Sequence, residues 1–101
     1  MRMLMNVTFP LEPFNDLIRT GKIGDMMQKI LGAVKPEMIY FTEQDGYRGA
    51  VAIVQVNEAS DVPRLAEPWF LGLEAECTFR IAMTPDDLQK AGLDAIGKDW
   101  A

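Results

Sequence analysis

A chain of 101 residues suits one domain that buries roughly two-thirds of the surface its unfolded form exposes, so neither a linker nor a second domain is required. With 49% apolar and 25% charged residues and no Pro/Ser/Gly or like-charge run, it belongs with globular chains and not with disordered ones. A formal charge of −5 argues against phosphate backbones and anionic membranes, whose binding draws on clustered Lys and Arg.

The opening stretch, MRMLMNVTFP, is apolar but short and broken by Asn6 and Thr8 before Pro10. Residues 2–9 alternate, with Met3, Met5, Val7 and Phe9 on one side and Leu4, Asn6 and Thr8 on the other, which predicts a strand and not a signal or membrane segment. Between Leu11 and Pro36 the pattern turns helical, in two stripes: Phe14, Leu17 and Ile18, then Ile23, Met26, Met27, Ile30, Leu31 and Val34. The stripes are offset by roughly 200° at 3.6 residues per turn, so one straight helix cannot bury both, and the glycines of TGKIG are the expected break.

Residues 38–56 hold two β-rich runs joined at Gln44-Asp45-Gly46-Tyr47, where Asp-Gly takes the positive φ angles of a tight hairpin. Ser60 is the expected N-cap of the next helix; Asp61 complements its N-terminus and Pro63 fits its first turn. Val62, Leu65, Ala66, Trp69 and Leu73 then follow at helical spacing, and Pro68 predicts a kink or restart. CTFRIAM, residues 77–83, alternates once more as a fourth strand. In TPDDLQKAGL, Thr84 caps, Pro85 takes the first helical position, Asp87 completes a capping box and Gly92 ends the helix; the remainder to Trp100 frays or docks.

The order is β-α-β-β-α-β plus a C-terminal helix: an α+β, ferredoxin-like domain whose four-stranded antiparallel sheet carries two helices on one face. The parity holding Met3, Met5, Val7, Phe9, Cys77, Phe79, Ile81 and Met83 is expected under the helices. The opposite parity, with Leu4, Asn6, Thr8, Tyr40, Thr42, Val51, Ile53, Gln55, Thr78 and Arg80, then faces outward, and its apolar members predict a cover, most simply a second copy of the sheet.

The absence of histidine, with Ser60 the one serine and Cys77 the one cysteine, excludes a Ser-His-Asp or Cys-His triad, a histidine general acid or base, and a His/Cys zinc site. One cysteine makes no disulfide framework, and a reducing, cytoplasmic home is expected. By parity Cys77 is a buried, inert thiol. Asp86 and Asp87 are helix-start residues and Glu74 and Glu76 flank a turn, so spacing gives none of them a catalytic or metal role. No cofactor is implied.

Taken together, the element order, the half-polar open face and the segments AEPWF and AECTFRIAMTPDDL resemble the dimeric α/β-barrel superfamily, and within it one of the small bacterial families without an assigned activity. The likeness spans nearly the whole chain. It implies a homodimer closed through the sheets, and relatives that include cofactor-independent monooxygenases, muconolactone-type isomerases, stress-responsive barrel proteins and haem-using enzymes. The lack of histidine departs from the haem and decarboxylase-like branches.

Two sets of side chains invite a functional role. Asn6, Thr8, Tyr40, Gln55 and Arg80 share the open face, where a guanidinium among hydroxyls and amides suits a small carboxylate or phenolate; the alternative is a purely structural dimer face, with Arg80 paired to a neighbouring carboxylate. Trp69 and Phe70 are core packing first and pocket wall second, and Trp69 lies on the face opposite Arg80. The GKIG loop, Gly21 to Gly24, matches the backbone-clamping GxxG of KH nucleic-acid binders, but one lysine in an acidic chain and a fourth strand favour two glycines that end one helix and open another. The expectation is thus a homodimer through the open sheet face that binds a small organic molecule, with cofactor-independent chemistry on an aromatic or carbonyl compound if it is an enzyme. Neither nucleic acid nor membrane is an expected partner. The alternative is a non-catalytic interaction or regulatory subunit that docks through its Trp69/Phe70 helix and C-terminal tail.

Overall fold

A computed structural model describes residues Met1 to Ala101. The strands are β1 (Arg2–Phe9), β2 (Met38–Gln44), β3 (Tyr47–Gln55) and β4 (Glu76–Ile81); the helices are α1 (Phe14–Arg19), α2 (Ile23–Val34), α3 (Asp61–Leu73), α4 (Pro85–Lys90) and α5 (Leu93–Asp99). All strand pairs are antiparallel, in the order β2-β3-β1-β4. This is the ferredoxin-like arrangement, with the first and the C-terminal helical segments each divided in two.

Period-2 alternation decides which side of the sheet meets the helices. Met5, Val7 and Phe9 of β1 and Ala50, Ala52 and Val54 of β3 are buried, and they meet Ile30 and Val34 of α2 and Leu65, Trp69 and Leu73 of α3. Each large apolar side chain so buried contributes about 1.5–3 kcal/mol. Small residues at positions 50 and 52 let the bulky helical residues settle onto the central strands. The two helices approach closely at Gly72, where a Cβ would stand 3.1 Å from Ile30 Cδ1 and Met26 Sδ.

Local signals are largely met. The break between α1 and α2 falls at Thr20–Lys22, with Gly21 at φ 72°. Asp45 and Gly46 turn the hairpin with φ 53° and 84°, the positive pair expected of Asp-Gly. Thr84 and Asp87 form the reciprocal capping box, with Pro85 in the first turn of α4.

Several details differ from expectation. Ser60 does not cap α3 with its side chain; Asp61 accepts instead from the N–H groups of Asn57 and Glu58, at 2.9 and 3.1 Å, and ties down the preceding loop. Pro68 neither ends nor restarts α3, which runs unbroken from Asp61 to Leu73 because burial of Leu65, Trp69 and Leu73 along one face outweighs one missing N–H. Ile81 and Met83 keep the helix-side parity but are 62% and 65% exposed, since β4 is an edge strand and no helix reaches past Phe79. Gly92 ends α4 as expected, at φ 69°, and a further helix, α5, which the sequence did not announce, starts directly after it.

The C-terminal segment is helical as far as Asp99 and does not pack on the body of its own chain. Every residue from Pro85 to Ala101 is exposed, and the molecule measures 61 × 29 × 18 Å. Its radius of gyration of 17.2 Å exceeds the roughly 13 Å of a compact chain this long, because α4 and α5 form an arm standing off the body.

Candidate functional site on the open sheet face

Strand register converts the outward parity into rows. Leu4 lies opposite Ile53 and Arg80, with Met38 beyond Ile53; Asn6 lies opposite Val51 and Thr78, with Tyr40 beyond Val51; Thr8 lies opposite Gly49 and Glu76, with Thr42 beyond Gly49. Arg2 and Gln55 face each other at the end of the sheet. Asn6, Thr8, Tyr40, Gln55 and Arg80 therefore all sit on the side away from the helices. Leu4, Val51 and Ile53 are only partly buried at its centre, and Met38 and Tyr40 are exposed on the β2 flank.

The register also separates these five residues. Arg80 Nη2 donates to Asn6 Oδ1 at 3.3 Å, and Arg80 enters none of the ion pairs of the fold, which join Arg2 to Glu37, Arg19 to Glu12 and Arg64 to Asp61. Its charge is thus uncompensated. Gln55 is occupied elsewhere: its amide donates to Glu37 Oε1, while Arg2 Nε reaches Glu37 Oε2 at 3.1 Å. Those bonds, that from Gln55 foremost, hold the Glu37 carboxyl below the usual range. Tyr40 stands two strands from Asn6, about 10 Å away across Val51. Thr8 joins Tyr47, Glu74 and Glu76 at the edge of a separate open depression of about 320 Å³ at the other end of the sheet. Of the five, the centre of the face accordingly keeps the Arg80–Asn6 pair, bonded only to each other, and Tyr40.

Trp69 and Phe70 part company. Trp69 is fully buried against Phe9, ring centroids 5.7 Å apart, whereas Phe70 is 39% exposed. The Trp69 Nε1–H has no acceptor, contrary to the expectation that a buried indole finds one. A further aromatic cluster lay hidden in the sequence: Phe14 meets Phe9 at 5.2 Å and carries the Arg48 guanidinium 4.6 Å above its ring. The pairing of Arg48 with Phe9 is set by the long-range β1–β3 register, and no local pattern announces the helix that covers it.

Cys77 is half-buried on the helix side of β4, and burial raises its pKa to about 11. No three His, Cys, Asp or Glu side chains converge as metal ligands would. No helix is long and apolar enough to cross a membrane.

No family model and no curated relative matches the chain. Among solved structures, the de novo designed protein Ferredog-Diesel aligns with a TM-score of 0.44 at 12% identity, covering 80% of this chain and 85% of its own. The protein At3g17210 from Arabidopsis thaliana aligns with a TM-score of 0.40 at 13% identity, over 82% and 95% of the two chains.

Proposed function

We propose that two copies join through the open sheet faces, in the manner of a dimeric α/β barrel, and enclose a site for a small organic anion. The observation that carries this is the composition of the face centre: apolar Leu4, Val51 and Ile53, with the uncompensated Arg80 guanidinium held by Asn6 on one side and the Tyr40 hydroxyl on the other. A ligand fitted to it has a carboxylate or phenolate for Arg80, an apolar middle over Val51 and a second polar end within reach of Tyr40. Were chemistry to occur, the protein would supply exclusion of water, an electrostatic clamp and the phenol as a proton donor, with no bound cofactor.

Light scattering of the full chain and of Val51→Lys tests the pairing: the variant should have half the mass of the wild type. Benzoate as probe tests the site, through chemical-shift changes at Asn6 and Arg80 that vanish in Arg80→Gln. A wild-type monomer with no response to benzoate would defeat the proposal.

A second reading is a non-catalytic interaction subunit. It is favoured by the C-terminal arm, where Trp100 is 86% exposed.

A further inference from the structure

We infer that the C-terminal helix of one copy docks between α2 and α3 of a second copy. This concerns the helical side of the molecule and does not depend on the sheet-face pairing proposed above.

Both halves of such a contact are present in every chain. On the outer side of the helix pair, Met26, Ile30 and Ala33 of α2 and Pro68, Leu71 and Gly72 of α3 floor an open groove of about 520 Å³. Leu71 is 81% exposed there. The absence of a side chain at Gly72 draws the helices together and keeps the floor shallow enough for a third helix.

The arm supplies a matching ridge. At 100° per residue, Leu93, Ile96 and Trp100 fall within an arc of about 60° on α5 and its C-cap, the i, i+3, i+7 spacing of helix-in-groove anchors. All three are exposed in the single chain. Their span of seven residues is about 10 Å, and each wall of the groove, Met26 to Ala33 and Arg64 to Leu71, runs the same seven residues.

Charge matches as well as length. Asp94 and Asp99 flank the apolar arc of α5 on its two sides, and Lys29 on the α2 wall and Arg64 on the α3 wall flank the groove on both of its sides. Glu67 is the one acid among the groove residues. Arg64 is held only by an exposed 3.6 Å contact with Asp61, so it is available to a partner.

A chain's own groove is the poorer host. The arm leaves β4 through Ala82–Thr84, where Ala82 N–H donates to Arg2 O at 3.1 Å and the Thr84–Asp87 box fixes the start of α4. With these bonds in place the arm stands off the body, and its three ridge residues are exposed away from the chain's own groove. Exchange between two copies keeps the bonds, buries both ridges and closes upon itself by two-fold symmetry.

Cysteine pairing between chains tests the contact. Leu71→Cys and Ile96→Cys, each in a Cys77→Ala background, change solvent-facing positions of the body and the arm. Mixed under mild oxidation, they should give the mixed disulfide at least tenfold over either homodimer. Adding Asp94→Lys and Asp99→Lys to the arm should cut that yield about tenfold. Mixed and homodimeric products in statistical ratio would overturn the inference. So would a chain carrying both cysteines that closes its own disulfide at dilutions where separate chains no longer pair.

Discussion

Arg80 on β4 and Asn6 on β1 are diagonal neighbours across one strand pair, joined by a 3.3 Å hydrogen bond on the face that the helices leave open. The bond aims a guanidinium over the apolar centre of the sheet without neutralising it. Because Arg80 and its bond to Asn6 are exposed, Arg80→Gln should change unfolding stability by no more than about 0.5 kcal/mol in urea titration. The same variant should abolish benzoate-dependent shifts of the Asn6 side-chain amide. An equal response from wild type and variant would remove Arg80 from the proposed site.

Trp69 contributes stability by filling space. Trp69→Ala should cost about 3–5 kcal/mol, read from the urea midpoint, because the cavity would lie between α3 and the sheet, against Phe9. Trp69→Phe should cost much less, since it also deletes an indole N–H that has no acceptor.

Cys77 should be slow to react. Burial lifts its pKa from 9.0 to about 11, which lowers the thiolate fraction near neutral pH by two powers of ten. A disulfide reagent such as dithionitrobenzoate should modify it about 100-fold more slowly than a free thiol at pH 7.5, and at the free-thiol rate once the chain is unfolded.

The capping box makes the arm acid-sensitive. Asp87 has its pKa lowered below 3.8, first by the Thr84 backbone N–H and then by the Thr84 hydroxyl. Its folded value lies below its unfolded one, so the stabilisation is complete above about pH 4 and is lost as pH falls through the folded value. Amide protection at Leu88 to Lys90 should therefore drop below pH 4 in the wild type, and should be weak and flat with pH in Asp87→Asn.

Lys35 closes α2 at φ 49°, a left-handed conformation that costs an L-residue roughly 1–2 kcal/mol. Glycine there avoids that cost but gives back about 0.4–1 kcal/mol through the unfolded chain. Lys35→Gly should thus raise stability, by at most about 1 kcal/mol in urea unfolding.

Legibility in the sequence followed the range of each interaction. The hairpin, the Thr84 box and the break at Gly21 rest on two to four adjacent residues, and each can be read there. Strand parity likewise placed Asn6, Thr8, Tyr40, Gln55 and Arg80 on one face. It could not show that Gln55 is taken up by Glu37, because that contact depends on where the chain enters β2 after α2. Nor could it show that Ile81 and Met83 lie bare, since coverage depends on how far α3 extends over an edge strand. Pro68 shows the same dependence: its local penalty is real, but that the helix continues through it instead of restarting is decided by long-range burial.

The arm and the core each hold one of the two tryptophans, Trp100 at 86% exposure and Trp69 at none. Indole fluorescence consequently divides into two independent signals: a short-wavelength component that disappears only when the domain unfolds, and a water-quenched one that brightens whenever something settles on the arm. The molecule is, in effect, labelled at both places where its behaviour is most worth watching.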